Sequence, residues 1–141
     1  MSPTLDHDSN RPRRERPLVL FVEDNLDQLD LYSLALEDRV DVLKASRGQT
    51  AYALACAERP DVIVLDILLP DGSGFDLAQQ LRSTPQTATI PIVFLTGDDS
   101  SFWKAQTSPH RNAAFEILKK PCPADQLLAT IEAALTHTDG T

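Results

Sequence analysis

Short apolar runs alternate with amphipathic stretches along most of this chain. Leu18-Val19-Leu20-Phe21-Val22 is continuously apolar, as expected of a parallel strand covered on both faces. Asn25 to Leu36 carries Leu26, Leu29, Leu31, Leu34 and Leu36 with acids between them, a pattern that predicts a helix. Val40 to Ala45 reads as a weaker, more polar strand at a sheet edge. Thr50 to Glu58 is Ala-rich and helical, stopped by Arg59-Pro60. Val62-Ile63-Val64-Leu65 is the most apolar run and should be the central strand. A loop containing Pro70, Gly72 and Gly74 leads into a helix from Phe75 to Leu81. Ile90 to Leu95 and Phe115 to Leu118 supply two more strands, and Asp125 to Leu135 a closing helix. Segment 98–112 holds Phe102, Trp103 and Pro109 and is assigned a short, irregular helix.

Five strands alternating with five helices imply a doubly wound α/β sandwich, an open parallel sheet covered on both faces. Right-handed crossovers restrict the topology. The flavodoxin-like (βα)5 order 2-1-3-4-5 is the common solution, and it places a crevice beyond the carboxyl ends of strands one and three. Glu23 and Asp24 follow strand one directly, and Asp66 follows strand three. Strand four ends at Thr96, and strand five at Lys119, Lys120 and Pro121. The strand bodies are apolar, yet each strand end near the crevice delivers a polar or charged group.

Composition narrows the setting. The 141 residues leave room for one ordinary domain, assigned to 18–137, with a disordered leader over 1–17 and a flexible end over 138–141. The formal charge is −8, but the leader sets Arg11, Arg13, Arg14 and Arg16 against three acids, so the rest carries −9. A domain this acidic is unsuited to sequence-independent nucleic-acid binding, which needs clustered Lys and Arg. Cys56 and Cys122 form neither a metal motif nor a disulfide framework, so a reducing cytoplasm is the expected compartment. No apolar run approaches the roughly 20 residues of a bilayer span, and no membrane association is expected.

The charged strand ends point to a particular chemistry. Three clustered carboxylates repel one another, and a divalent cation removes that penalty. Mg²⁺ takes carboxylate and phosphate oxygens together with water, whereas zinc favours the His and Cys that this cluster lacks. A carboxylate can attack phosphorus to form an aspartyl phosphate, leaving positioning and charge stabilisation to its surroundings. Thr96 can donate a hydroxyl to a phosphoryl oxygen, and a lysine ammonium can pair with another. Each residue alone has an ordinary role: helix cap, turn or strand end. Their coincidence on four strand ends facing one crevice favours a functional site.

With these residues in place, the chain resembles the receiver domain of two-component response regulators over about residues 18–136. The resemblance rests on Phe21-Val22-Glu23-Asp24-Asn25, on Val64 to Gly74 around Asp66, on Phe94-Leu95-Thr96-Gly97 and on Leu118-Lys119-Lys120-Pro121. It implies that Asp66 is the phosphoacceptor, that Asp24, with Glu23 as its acidic partner, ligates Mg²⁺, and that the Leu68 backbone carbonyl completes the protein ligands with Asp66. Thr96 then matches the switch hydroxyl, and Lys120, immediately before proline, the family lysine, with a Lys-Pro bond commonly cis. Gly97 would leave the phosphoryl group sterically open. The chain departs from the pattern at Ile117, where the family usually has an aromatic, and at Ala113-Ala114, where it usually has Gly-Ala. Phe115, Phe102 or Trp103 could substitute for that aromatic, with core packing the ordinary role of each.

The implied function is that of a single-domain response regulator in a phosphorelay. It would accept a phosphoryl group from a histidine kinase or histidine phosphotransfer protein and signal to a downstream protein by contact, with a homodimer as a further form. It would catalyse only its own phosphorylation and dephosphorylation, with Asp98 placed to orient a hydrolytic water. The alternative is a non-phosphorylated scaffold or dimerisation module, against which the complete set of Glu23, Asp24, Asp66, Thr96 and Lys120 argues. His7, His110 and His137 are read as surface residues, and Cys122 as a packing residue.

Overall fold

The structure, a computed structural model, describes residues 16–97 and 114–139. Strand β1 (Leu18–Val22) leads through α1 (Leu26–Leu36), β2 (Asp41–Ala45) and α2 (Gly48–Glu58) to β3 (Val62–Asp66). A small hairpin of β4 (Leu68–Leu69) and β5 (Gly72–Ser73) precedes α3 (Gly74–Arg82). The order closes with β6 (Ile92–Thr96), β7 (Glu116–Lys119) and α4 (Ala124–Asp139). The five long strands form one sheet in the order β2-β1-β3-β6-β7, parallel throughout. With the hairpin set aside, this is the expected 2-1-3-4-5 arrangement of a flavodoxin-like sandwich.

The continuous apolar runs sort into two cores because successive strand side chains point to opposite faces. Leu20, Val22, Ile63, Leu65, Ile92 and Phe94 pack beneath α2 and α3, against residues such as Ala55 and Leu81. Val19, Phe21, Val62, Val64, Val93 and Leu95 pack beneath α1 and α4, against Leu29, Leu36, Leu127 and Ile131. All five residues of β3 are buried, as a central strand requires, while β2 at the edge is largely half-buried or exposed. The loop expected between Asp66 and Phe75 contains the antiparallel β4–β5 pair, with Leu68 opposite Ser73 and Leu69 opposite Gly72. Gly72 adopts φ 145° in that turn, a backbone conformation open to glycine and strained for other residues.

Local signals set the starts of α1 and α3. The Asn25 side chain accepts from the Gln28 N–H and caps α1, and Ser73 caps α3 by accepting from Phe75. Helix α2 starts earlier than its Ala-rich stretch suggests and has no cap from its own N-cap residue, Arg47. Arg16, counted with the disordered leader on composition, is part of the folded body. Its guanidinium pairs with Asp41 at 3.0 Å and donates to the backbone carbonyls of Glu37, Asp38 and Val40. It thereby satisfies groups around the C-terminal end of α1 that the helix leaves unpaired.

The described residues contain four α-helices. The expected helix within 98–112, with Asp98, Phe102, Trp103, Pro109 and His110, lies outside the described residues, as do Ala113, residues 1–15 with His7, and residues 140–141. The side chain of His137 lies outside them too.

Candidate functional site

Parallel strands deliver their carboxyl ends to one edge of the sheet, and β1 and β3 are neighbours there. Glu23 follows β1, and its N–H donates to Ala45 O at the end of β2 at 3.0 Å. Glu23 is 1% exposed, and its carboxylate accepts from the Asn25 N–H at 3.0 Å and from Lys120 Nζ at 2.6 Å. Asp24, the next residue, is exposed. Asp66 ends β3, is 7% exposed, and accepts from the Leu68 N–H at 3.0 Å and from Lys120 Nζ at 3.3 Å. Glu23, Asp24 and Asp66 each place one carboxylate oxygen within 4.8 Å of the others.

Thr96 ends β6, in the strand that pairs with β3. Its carbonyl accepts from the Lys120 N–H at 2.7 Å, which fixes the root of Lys120 against the end of β6. Its hydroxyl is buried and has no hydrogen-bond partner among the described residues. Such a group is costly to bury and ready to bond whatever enters. The Lys120–Pro121 bond is cis. Among the described residues, a Cβ at Gly97 would meet only Lys120 Cδ, at an ordinary contact distance of 3.9 Å.

The electrostatics follow from burial. Desolvation alone would lower the Lys120 pKa; the hydrogen bond to Glu23 and the charge of Asp66 outweigh it and hold the ammonium above its ordinary range. One ammonium against three carboxylates leaves the cluster net negative. An all-oxygen donor set with excess negative charge fits a hard divalent cation such as Mg²⁺. No His or Cys joins that cluster among the described residues; Cys122 is buried in the core under α1 and α4.

Two residues beside the site carry more of its geometry than their sequence context suggests. Gly74 begins α3, and a Cβ there would lie 2.4 Å from Asp66 O and 2.9 Å from Ile67 Cα, so the backbone around Asp66 demands glycine. Asp71, in the turn between β4 and β5, accepts from the N–H groups of Gly48 and Gln49 at 2.7 and 3.0 Å. A Pro-Asp-Gly sequence announces a turn, and nothing in it announces a contact with α2. The absence of a good capping residue at position 47 was the available signal.

The sequence matches the model of the response regulator receiver domain over residues 19–132. The chain belongs to this family. It is 35% identical over 118 residues to Protein PilH of Pseudomonas aeruginosa, covering 83% of this chain and 96% of PilH. It is 36% identical over 124 residues to the DNA-binding dual master transcriptional regulator RpaA of Synechocystis sp., covering 87% of this chain and 51% of RpaA. The chain thus spans nearly all of PilH and about half of RpaA. Among solved structures, the receiver domain of the Francisella response regulator 1452 superposes with a TM-score of 0.76 at 26% identity, covering 87% of this chain and 99% of that one.

Receiver domains are signalling proteins of two-component systems rather than enzymes in the usual sense. They bind Mg²⁺ at an acidic pocket and interact with histidine kinases and downstream targets. In this receiver domain Ile117 is 3% exposed and lies opposite Phe94 in the sheet register. Phe115 is half-buried and packs on the other face, with the core beneath α1 and α4. No helix among the described residues is long and apolar enough to cross a membrane.

Proposed function

We propose that Asp66 accepts a phosphoryl group from a phosphohistidine on a histidine kinase or histidine phosphotransfer protein, with Mg²⁺ at Glu23, Asp24, Asp66 and the Leu68 carbonyl. The observation that carries this reading is the meeting of Glu23, Asp24, Asp66 and Lys120 at one sheet edge. An Asp66 carboxylate oxygen attacks phosphorus; the new O–P bond forms as the P–N bond breaks, and the electron pair leaves with the imidazole nitrogen. Bound Mg²⁺ supplies charge neutralisation for the phosphoryl oxygens. The Leu68 N–H orients the carboxylate through Asp66 Oδ1. The Lys120 ammonium, 3.3 Å from Asp66 Oδ2, offers positive charge where negative charge accumulates. The Thr96 hydroxyl, without a partner among the described residues, supplies a donor for the phosphoryl group once it is attached.

The modified domain then signals by contact with a downstream protein in the cytoplasm, since a new dianion at the crevice biases the surrounding loops between two arrangements. Incubation with Mg²⁺ and a small-molecule phosphodonor, followed by intact-mass measurement, tests this. Wild type should gain one phosphoryl mass and Asp66→Asn none; equal labelling of both, or of neither, defeats the reading.

A further inference from the structure

The interaction between Asp71 and the start of α2 spans 22 to 23 residues of sequence, and it does more than close a helix end. Arg47 stands at the N-cap of α2 and makes no side-chain cap, so the first amides of the helix lack a local acceptor. Asp71 takes two of them, one with each carboxylate oxygen. The fit is close: a Cβ on residue 48 would stand 3.2 Å from Asp71 Oδ1, and Gly48 leaves that space clear.

Asp71 sits at the tip of the β4–β5 hairpin, whose base is tied to the site. The Leu68 N–H donates to Asp66, and the Gly74 N–H donates to Ile67 O at 2.6 Å. Helix α2 follows β2, and the last carbonyl of β2, Ala45 O, holds the Glu23 N–H. The contacts form a ring: Asp66 to Leu68, the hairpin to Asp71, Asp71 to Gly48 and Gln49, a short link back to Ala45, and Ala45 to Glu23. Asp71 is the one side chain in that ring outside the acidic cluster.

We infer that Asp71 is a positioning residue for the cation site: it latches the hairpin that carries the Leu68 carbonyl onto α2 and so sets the spacing between the Asp66 and Glu23 arms. This rests on the reading of the cluster as a Mg²⁺ site. A residue that only capped α2 would affect stability alone. A latch also affects cation affinity, because an outer partner that orients ligands contributes on the order of tenfold to metal binding.

The test separates these roles by restoring the cap without the latch. Mg²⁺ is titrated into unphosphorylated wild type, Asp71→Ala, and Asp71→Ala combined with Arg47→Ser, following the amide resonances of Glu23, Asp66 and Leu68; thermal midpoints are measured alongside. Serine at position 47 can cap α2 locally. The expected result is about tenfold weaker Mg²⁺ binding in Asp71→Ala and a double variant that recovers the midpoint without the affinity. Wild-type affinity in Asp71→Ala, or recovery of both properties in the double variant, overturns the inference while leaving the site intact. Absence of Mg²⁺-dependent shifts in wild type defeats the inference and the cation-site reading together.

Discussion

Lys120 lies closer to Glu23 than to Asp66: its Nζ is 2.6 Å from Glu23 Oε1 and 3.3 Å from Asp66 Oδ2. Glu23 is almost fully enclosed, so the ammonium neutralises the most deeply buried acid of the cluster as well as standing beside the proposed phosphoacceptor. The lysine thus has a structural duty before any phosphoryl group arrives.

Removing that charge should therefore destabilise the unmodified protein. Lys120→Met leaves Glu23 buried without a counter-charge, and loss of one partner of a buried pair costs about 3 kcal/mol. Denaturant unfolding with and without Mg²⁺ checks this: the variant should lose stability in the absence of the cation and regain more than wild type when it is added. An unchanged unfolding midpoint without Mg²⁺ would show that Glu23 does not depend on Lys120.

Thr96→Val should behave in the opposite way. The hydroxyl is buried and has no partner among the described residues, so its replacement by a methyl group should leave the unmodified domain as stable as wild type or up to about 1 kcal/mol more stable. The extra stability gained on phosphorylation should shrink, because the proposed bond to the phosphoryl group is gone. Unfolding of both proteins before and after phosphorylation measures this; an unaltered gain in the variant counts against a phosphoryl contact by Thr96.

The Asp71 carboxylate gives a pH signature. Hydrogen bonds from Gly48 and then Gln49 hold its pKa below the ordinary 3.8, with a smaller contribution from the charge of Arg47. A depressed carboxyl pKa stabilises the folded state above the unfolded pKa, and that contribution fades as pH falls through the folded value. Wild type should therefore exceed Asp71→Asn in stability near neutrality, with the gap closing below about pH 4. Unfolding curves from pH 7 to pH 2.5 follow the gap, and a constant difference across the range contradicts the assignment.

Gly74→Ala probes the backbone around the proposed phosphoacceptor, Asp66. The added methyl must displace Asp66 O or Ile67 Cα, which are main-chain atoms rather than flexible side-chain ends. A loss of about 3 kcal/mol is expected from such overpacking, together with slower labelling of Asp66. Thermal unfolding and intact-mass kinetics would expose a harmless substitution at once.

The five strands of the main sheet, their order and the acidic strand ends were legible along the chain. Two signals converged: continuous apolar runs separated by helical periods, and charged residues immediately after them. The β4–β5 hairpin was not legible, because two-residue strands carry no periodicity and Pro70-Asp71-Gly72 reads only as a turn. Arg16 was assigned to the leader on composition alone, while its role comes from the carbonyls of Glu37, Asp38 and Val40 at the end of α1. Ile117 was readable as a departure from the family pattern, and its burial opposite Phe94 identifies it as a core residue.

By itself, the sequence determined which residues reach the crevice. A strand of alternating faces and a right-handed crossover leave few places for Glu23, Asp24, Asp66, Thr96 and Lys120 to go. Tertiary structure alone decided how those groups are paired: the preference of Lys120 for Glu23, the burial of the Thr96 hydroxyl without a partner among the described residues, and the reach of Asp71 to α2. Local patterns record which way a side chain faces. Pairing depends on distances of a few ångströms between segments far apart in sequence, and only packing sets those.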